Sequence, residues 1–263
     1  MKPIPPRGGR GKNGNTMQLT VVGCGDAFGA GNRLQTAYFV RSRTSTFLID
    51  CGATTLIGLS RLGLSPNDID TVYVSHLHGD HIGGLPWLLI HAKYVGLRTR
   101  PLVVVGPKTT EERFITLTEA VYPGTLDSGI NFDLVFVEHQ EQTPLELNGV
   151  SVTPFEVHHP SGAPPYAMRF DIDGKTLSFT GDTGWVDVLP EVSQGADLFI
   201  SECFQYDIEM AMHLDYKTID ANYERLAAKR VLLTHMGQEM LDARAEVDPS
   251  RYELAEDGMV IDL

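Results

Sequence analysis

Within six residues, His76-Leu77-His78-Gly79-Asp80-His81, the chain gathers three imidazoles and one carboxylate. A neutral imidazole nitrogen suits Zn²⁺, and a carboxylate oxygen widens the choice to Mn²⁺ or Fe. Alternation along an extended turn points His76 and His78 to one side. A tighter turn at Gly79 directs Asp80 and His81 toward a second point. A solvated His-rich turn is the plainer reading, but a strand end is a poor place to collect groups that charge alike. Four donors cannot complete two metal sites, so others must come from elsewhere. His159, Asp182 (in TGDT) and His235 each follow an apolar, strand-like run, and a packed sheet brings such ends to one edge. Asp50 closes another run (TFLID) and suits the task of orienting a ligand histidine from behind. His158 competes with His159 for its role, whereas His91 and His139 read as structural or surface residues.

The elements that must position these donors follow from periodicity and turn chemistry. Short β-prone runs at 18–22, 37–40, 46–50, 71–75 and 102–105 are interleaved with helical spacing at 55–62, 85–94 and 109–120. Over 85–94, Leu85, Leu88, Leu89 and Ala92 share one face. Glu111 and Glu112 sit favourably near the N-terminus of the 109–120 helix. The second half predicts strands at 133–137, 145–147, 150–157, 167–172, 176–180 and 197–201, with Asp173-Gly174 as a hairpin turn. A helix over 218–228 and a strand over 230–234 follow. No linker divides the chain after residue 16, so 17–263 reads as one α/β domain. Residues 1–16, rich in Pro, Gly and basic side chains, read as a disordered extension.

Composition narrows the partners. The 263 residues are 42% hydrophobic and 21% charged, enough to bury a core, and the net charge is −13. All of residues 1–16 contribute only Lys2, Arg7, Arg10 and Lys12, so from Met17 onward 17 basic side chains face 34 acidic ones, a balance of −17. Such a body repels a phosphate backbone, which disfavours RNA and DNA as general partners. Apolar runs fall far short of the roughly 20 residues that span a bilayer, and the basic N-terminus is followed by no signal-like apolar stretch. Cys24, Cys51 and Cys203 form no paired framework and predict reduced thiols in the cytoplasm. Residues 23–29 (GCGDAFG) miss the dinucleotide fingerprint by one position, and no G-x-S-x-G elbow occurs.

The HLHGDH segment, His159, TGDT with Asp182, and LLTHM with His235 together resemble the metallo-β-lactamase superfamily of binuclear metal hydrolases. The resemblance covers about residues 17–240. It implies a four-layer αβ/βα sandwich, two facing mixed β-sheets flanked by helices, with the metals at one edge. It implies that His76, His78 and His159 bind one metal, that Asp80, His81 and His235 bind a second, and that Asp182 bridges them. V-x-H after the strand favours His159 over His158. Two divalent cations, Zn²⁺ first and Mn²⁺ or Fe as alternatives, would sit about 3.5 Å apart and make hydroxide available near neutral pH. Asp80 then counts as catalytic as well as ligating, since its loss should abolish turnover.

Finer features are similar to the branch containing ribonuclease Z and the phosphoribosyl cyclic phosphodiesterases. They are residues 23–30 (GCGDAFGA), expected to line the cleft, 47–52 (FLIDCG), Arg100-Pro101-Leu102 with the later Gly106-Pro107, and 196–202 (ADLFISE). That likeness pairs Glu202 with His213 and implies that His213 helps protonate the leaving group. Two departures bear on the substrate: no long Gly/Pro-rich basic arm is present, and residues 159–169 (HPSGAPPYAMR) differ from the shorter GYR-type loop. A small phosphodiester or cyclic phosphate is therefore expected rather than transfer RNA. Thioester, lactone or β-lactam hydrolysis and mono-iron dioxygenase chemistry are the alternatives, and a homodimer is compatible with the branch.

Overall fold

The computed structural model describes residues 17–263; the extension read for residues 1–16 lies outside the described residues. Alternation in the first strands sets the layering. In β1 (Gln18–Gly23) Leu19 and Val21 face one way, and in β2 (Ala37–Arg41) Tyr38 and Val40 do the same while Phe39 faces the other. β3 (Thr46–Ile49), β4 (Thr71–Tyr73), β5 (Leu102–Gly106) and β6 (Leu134–Glu138) extend this sheet. The second sheet comprises β7 (Leu145–Leu147), β8 (Val150–Glu156), β9 (Tyr166–Ile172), β10 (Lys175–Phe179), β11 (Leu198–Glu202), β12 (Val231–Thr234) and β13 (Tyr252–Leu254). The last strand, β14 (Val260–Asp262), returns to pair with β1.

The strand orders are β14-β1-β2-β3-β4-β5-β6 and β13-β12-β11-β10-β9-β8-β7. Each sheet is antiparallel on one side and parallel on the other: β3 to β6 are parallel neighbours in the first, β10 to β13 in the second. Parallel strands need crossovers, and helices supply most of them. α1 (Thr55–Arg61), α3 (Leu85–Tyr94) and α4 (Thr110–Val121) cover the first sheet. α5 (Leu189–Ser193), α6 (Tyr216–Ala221), α7 (Tyr223–Leu226) and α8 (Gln238–Asp242) cover the second. The short α2 (Gly79–Ile82) sits in the donor segment.

Three apolar layers result, one between the sheets and one under each helical layer, which is the four-layer sandwich that the family resemblance implied. Phe170 of the second sheet stacks on Phe47 at 5.7 Å and meets Tyr73 edge-on at 5.2 Å, both from the first. Its truncation to alanine would cost about 3–5 kcal/mol. At the β9–β10 hairpin Asp173 and Gly174 both take positive φ, 55° and 79°, the conformation that the Asp-Gly pair favours.

The 218–228 helix is corrected. Helix begins at Tyr216, because the Asp215 side chain accepts the Thr218 amide at 2.8 Å, and it breaks at Asn222, leaving two short turns. Among the described residues no helix is long and apolar enough to cross a membrane. All three cysteines are buried and unpaired.

Candidate metal centre and active site

The parallel halves of both sheets deliver their strand ends to one edge, and the donors stand there. After β4 the chain runs through Ser75 to His76; His78 then caps α2, which carries Asp80 and His81. The backbone of 50–52 clamps this turn: Cys51 N donates to His81 O at 2.7 Å and Gly84 N to Cys51 O at 2.8 Å. Gly52 is required there, since a Cβ would collide with the Asp80 carbonyl. His159 follows β8, Asp182 follows β10 and His235 follows β12. Both Asp50 and His235 hold positive φ, 57° and 54°, backbone strain of the kind found where a side chain must be aimed.

Two groups of donor atoms converge, each within 4.8 Å: His76, His78 and His159, and beside them Asp80, His81, Asp182 and His235. Asp182 lies between them. Its Oδ2 is 3.8 Å from His76 Nε2, 3.9 Å from His159 Nε2 and 3.4 Å from His235 Nε2, while Oδ1 is 3.3 Å from His81 Nε2. Asp80 Oδ2 stands 3.2 Å from His235 Nε2 and 3.4 Å from His81 Nε2. His158 is exposed, and it is His159 that enters the cluster. His91 lies on α3, and His139 is buried with Nε2 at 3.2 Å from Val74 O, both outside the cluster.

The outer ring nitrogens show which lone pairs face inward. Asp50 Oδ2 accepts from His81 Nδ1 at 2.7 Å and from Ser75 Oγ at 2.7 Å. With its proton so committed, Ser75 Oγ accepts from His76 Nδ1 at 3.1 Å. The Met212 carbonyl accepts from His159 Nδ1 at 2.8 Å. In each neutral ring Nε2 is thus left as an acceptor aimed into the cluster, and His159 Nε2 stands 2.9 Å from His78 Nδ1. The buried His76 Nε2, His81 Nε2 and Asp182 Oδ1 have no hydrogen-bond partner. Orphaned buried acceptors are costly unless something positive sits among them, so this donor set fits divalent cations.

Electrostatics agree. Burial opposes charge on His81 and His235, yet Asp182 with its neighbouring carboxylates overrides it and raises both, His235 to about 9. Burial likewise works to raise Asp80 and Asp182, and the surrounding histidines hold both below the usual carboxylate range. The carboxylates therefore attract positive charge into the cluster. Next to it, Glu202 is fully buried at the end of β11, where burial and then Asp182 push it up to about 7. Glu202 Oε2 accepts from His213 Nδ1 at 3.0 Å and lies 3.9 Å from His235 Nδ1, and Oε1 accepts the Thr183 amide.

A cleft of about 370 Å³ opens over the cluster, lined by Ala27, Phe28, His78, Gly79, Asp80, His159, Asp182, Phe204, His213 and His235. Ala27 and Phe28 belong to the 23–30 loop that was expected there. Ser75, Thr183, the Met212 carbonyl and Phe204 were not singled out from the sequence. Of these, Ser75, adjoining His76, and Thr183, adjoining Asp182 in TGDT, carried a positional signal.

Comparison with known proteins agrees with this geometry. The family model described as Anti-Pycsar protein Apyc1 matches residues 17–261. The probable metallo-hydrolase YhfI of Bacillus subtilis is 30% identical over 227 residues, covering 84% of this chain and 87% of that protein. The crystal structure of YhfI, a metallo-β-lactamase fold protein, superimposes with a TM-score of 0.77 over 94% of this chain and 99% of its own. Ribonuclease Z of Agathobacter rectalis is 25% identical over 279 residues, covering 86% of this chain and 90% of that one. A diphosphatase of the PhnP family, 20% identical, shares the fold with a TM-score of 0.75 over 93% of this chain and 97% of its own. The chain belongs to the family of Anti-Pycsar protein Apyc1, and with it to the metallo-β-lactamase-fold metal-dependent hydrolases.

Proposed function

We propose that this protein is a binuclear metal-dependent hydrolase acting on a small phosphodiester or cyclic phosphate. The observation that carries the reading is the pair of donor groups meeting at Asp182, with buried acceptor atoms that no protein donor satisfies. His76, His78 and His159 would hold one divalent ion, Asp80, His81 and His235 the other, and Asp182 would reach both. When bound, such a pair, Zn²⁺ first, supplies Lewis acidity toward a phosphoryl oxygen and a water of lowered pKa.

The remaining steps belong to the chain's own residues. Asp50 fixes the tautomer and tilt of His81, Ser75 those of His76, and the Met212 carbonyl those of His159. Burial opposes charge on His213, but the Glu202 carboxylate that accepts from its Nδ1 raises it and favours the imidazolium, whose Nε2–H can then be given to the departing oxygen. One of the similar proteins, ribonuclease Z, bears the name of a phosphodiester-cleaving enzyme, which supports this bond class. The −17 balance from Met17 onward and a cleft lined by neither Lys nor Arg favour a small substrate over transfer RNA.

The test is a panel on zinc- or manganese-loaded protein: bis(p-nitrophenyl) phosphate, a cyclic nucleotide, a lactone and a cephalosporin. Turnover of a phosphodiester, lost in a folded Asp80→Ala variant, is expected. Hydrolysis confined to the lactone or the cephalosporin would overturn the substrate class.

A further inference from the structure

Phe28 is the most exposed large apolar side chain among the described residues, with 84% of its surface open, yet its backbone is firmly tied. The buried Asp26 carboxylate accepts from Phe28 N at 3.1 Å and from Ala30 N at 2.9 Å, and Gly25 N donates to Leu34 O at 2.7 Å. Gly29, at φ 76°, provides the left-handed step that the turn needs. A phenyl ring held in solvent by a fixed turn forgoes the stabilisation that burial would give, so its position needs another cause.

The ring stands 6.3 Å from Phe204 with the planes at 50°, and both line the cleft over the donor cluster. Phe204 is fixed too: its N–H donates to Leu214 O at 2.8 Å, its carbonyl accepts from Gly237 N at 2.9 Å, and its ring lies 4.8 Å from His213. No Lys or Arg lines this cleft, so a substrate's second phosphate or acidic tail meets no countercharge there. The organic part of a bound ester meets two phenyl rings instead. Their tilt forms no parallel slot; it suits one flat ring lying on the face of Phe28 with its edge toward Phe204.

Resting on the phosphodiesterase reading, we infer that Phe28, backed by Phe204, is a stacking platform that selects phosphodiesters whose organic half carries a flat aromatic ring. Phe28 is the specificity-determining residue in this arrangement and takes no part in bond breaking. Stacking of one base on an aromatic side chain is worth roughly 5–150-fold by alanine substitution.

The experiment compares two substrates with the same scissile bond: adenosine 3′,5′-cyclic phosphate and its analogue with methoxy in place of adenine. On the zinc-loaded protein, kcat/KM should favour the base-bearing ester by roughly 5–150-fold. Phe28→Ala and Phe28→Leu should both bring the ratio near one, and Phe28→Trp should keep it. In parallel, calorimetry compares adenosine 5′-monophosphate with methyl riboside 5-phosphate, and the same Kd ratio should appear and collapse. Because binding needs no turnover, failure of the wild type to cleave either ester would sink the phosphodiesterase reading while the Kd ratio still judges the platform. An unchanged ratio in Phe28→Ala, or full preference kept by Phe28→Leu, would overturn the inference. So would an oligomeric state altered by Phe28→Ala, which would reassign the ring to a contact between copies.

Discussion

Removing His213 should act selectively on substrates whose leaving oxygen needs a proton. The imidazole is half-buried, its Nδ1 is 3.0 Å from Glu202 Oε2, and its ring lies 4.8 Å from that of His159 at the cluster's edge. General-acid assistance contributes about 10²–10⁴-fold, or about 2.7–5.4 kcal/mol of barrier. Loss of this size is expected in His213→Ala for a dialkyl or cyclic phosphate, whose departing alkoxide is strongly basic. A p-nitrophenyl ester, whose phenolate departs unprotonated, should change by no more than about threefold. The substitution also leaves the buried Glu202 Oε2 with only His235 Nδ1, 3.9 Å away, a stability cost of about 1–3 kcal/mol. Thermal unfolding run alongside separates that cost from the kinetic effect. The assay is kcat/KM across phosphodiesters sharing one ester and graded in leaving-group basicity, where the variant should show the steeper dependence. Equal losses on nitrophenyl and alkyl esters would refute the acid role and leave His213 as a packing residue.

Asp50→Asn should weaken metal affinity about 10–100-fold, because the carboxylate that orients His81 is lost while the fold survives. Competition with a chromogenic chelator measures this, and unchanged affinity would contradict it. A chelator should lower the melting temperature and abolish turnover, both restored by added Zn²⁺, since the ions stabilise only the folded chain; a chelator-insensitive melting curve would count against bound ions. His139 is buried beside Val74 O, and burial lowers it from 6.5 to about 4. The unfolded chain therefore takes the proton first, so this contribution to stability is complete above the unfolded value and is lost as pH falls toward the folded one. From about pH 7 to about pH 5 the loss should be about 2 kcal/mol. Urea unfolding at both values, compared with His139→Phe, should show a shallower pH dependence in the variant; identical slopes would contradict the assignment.

Donor chemistry and strand-end placement were legible because each depends on local sequence: HLHGDH after an apolar run, single His or Asp residues after three others, and Asp50 after TFLID. The strands were legible as short β-prone runs such as 37–40, and the four-layer arrangement through the family resemblance. What escaped depends on tertiary structure. No pattern shows that Met212 gives its carbonyl to His159, which needs the 204–216 loop brought to the end of β8, or that Thr183 gives its amide to Glu202, which needs β10 and β11 paired in parallel. The break at Asn222 escaped because helical spacing continues through it, and the cap at Asp215, which starts the helix early, was overlooked. The edge strands β13 and β14 are three residues each, too short for a periodic signal.

The central claim is that seven side chains from four strand ends build one two-cation site. Metal content per chain, by inductively coupled plasma mass spectrometry after dialysis against trace Zn²⁺ and Mn²⁺, tests it most directly. The account predicts two ions per wild-type chain, with the second falling away in Asp182→Ala. A chain holding no ion, or a single iron unaffected by that substitution, would contradict it.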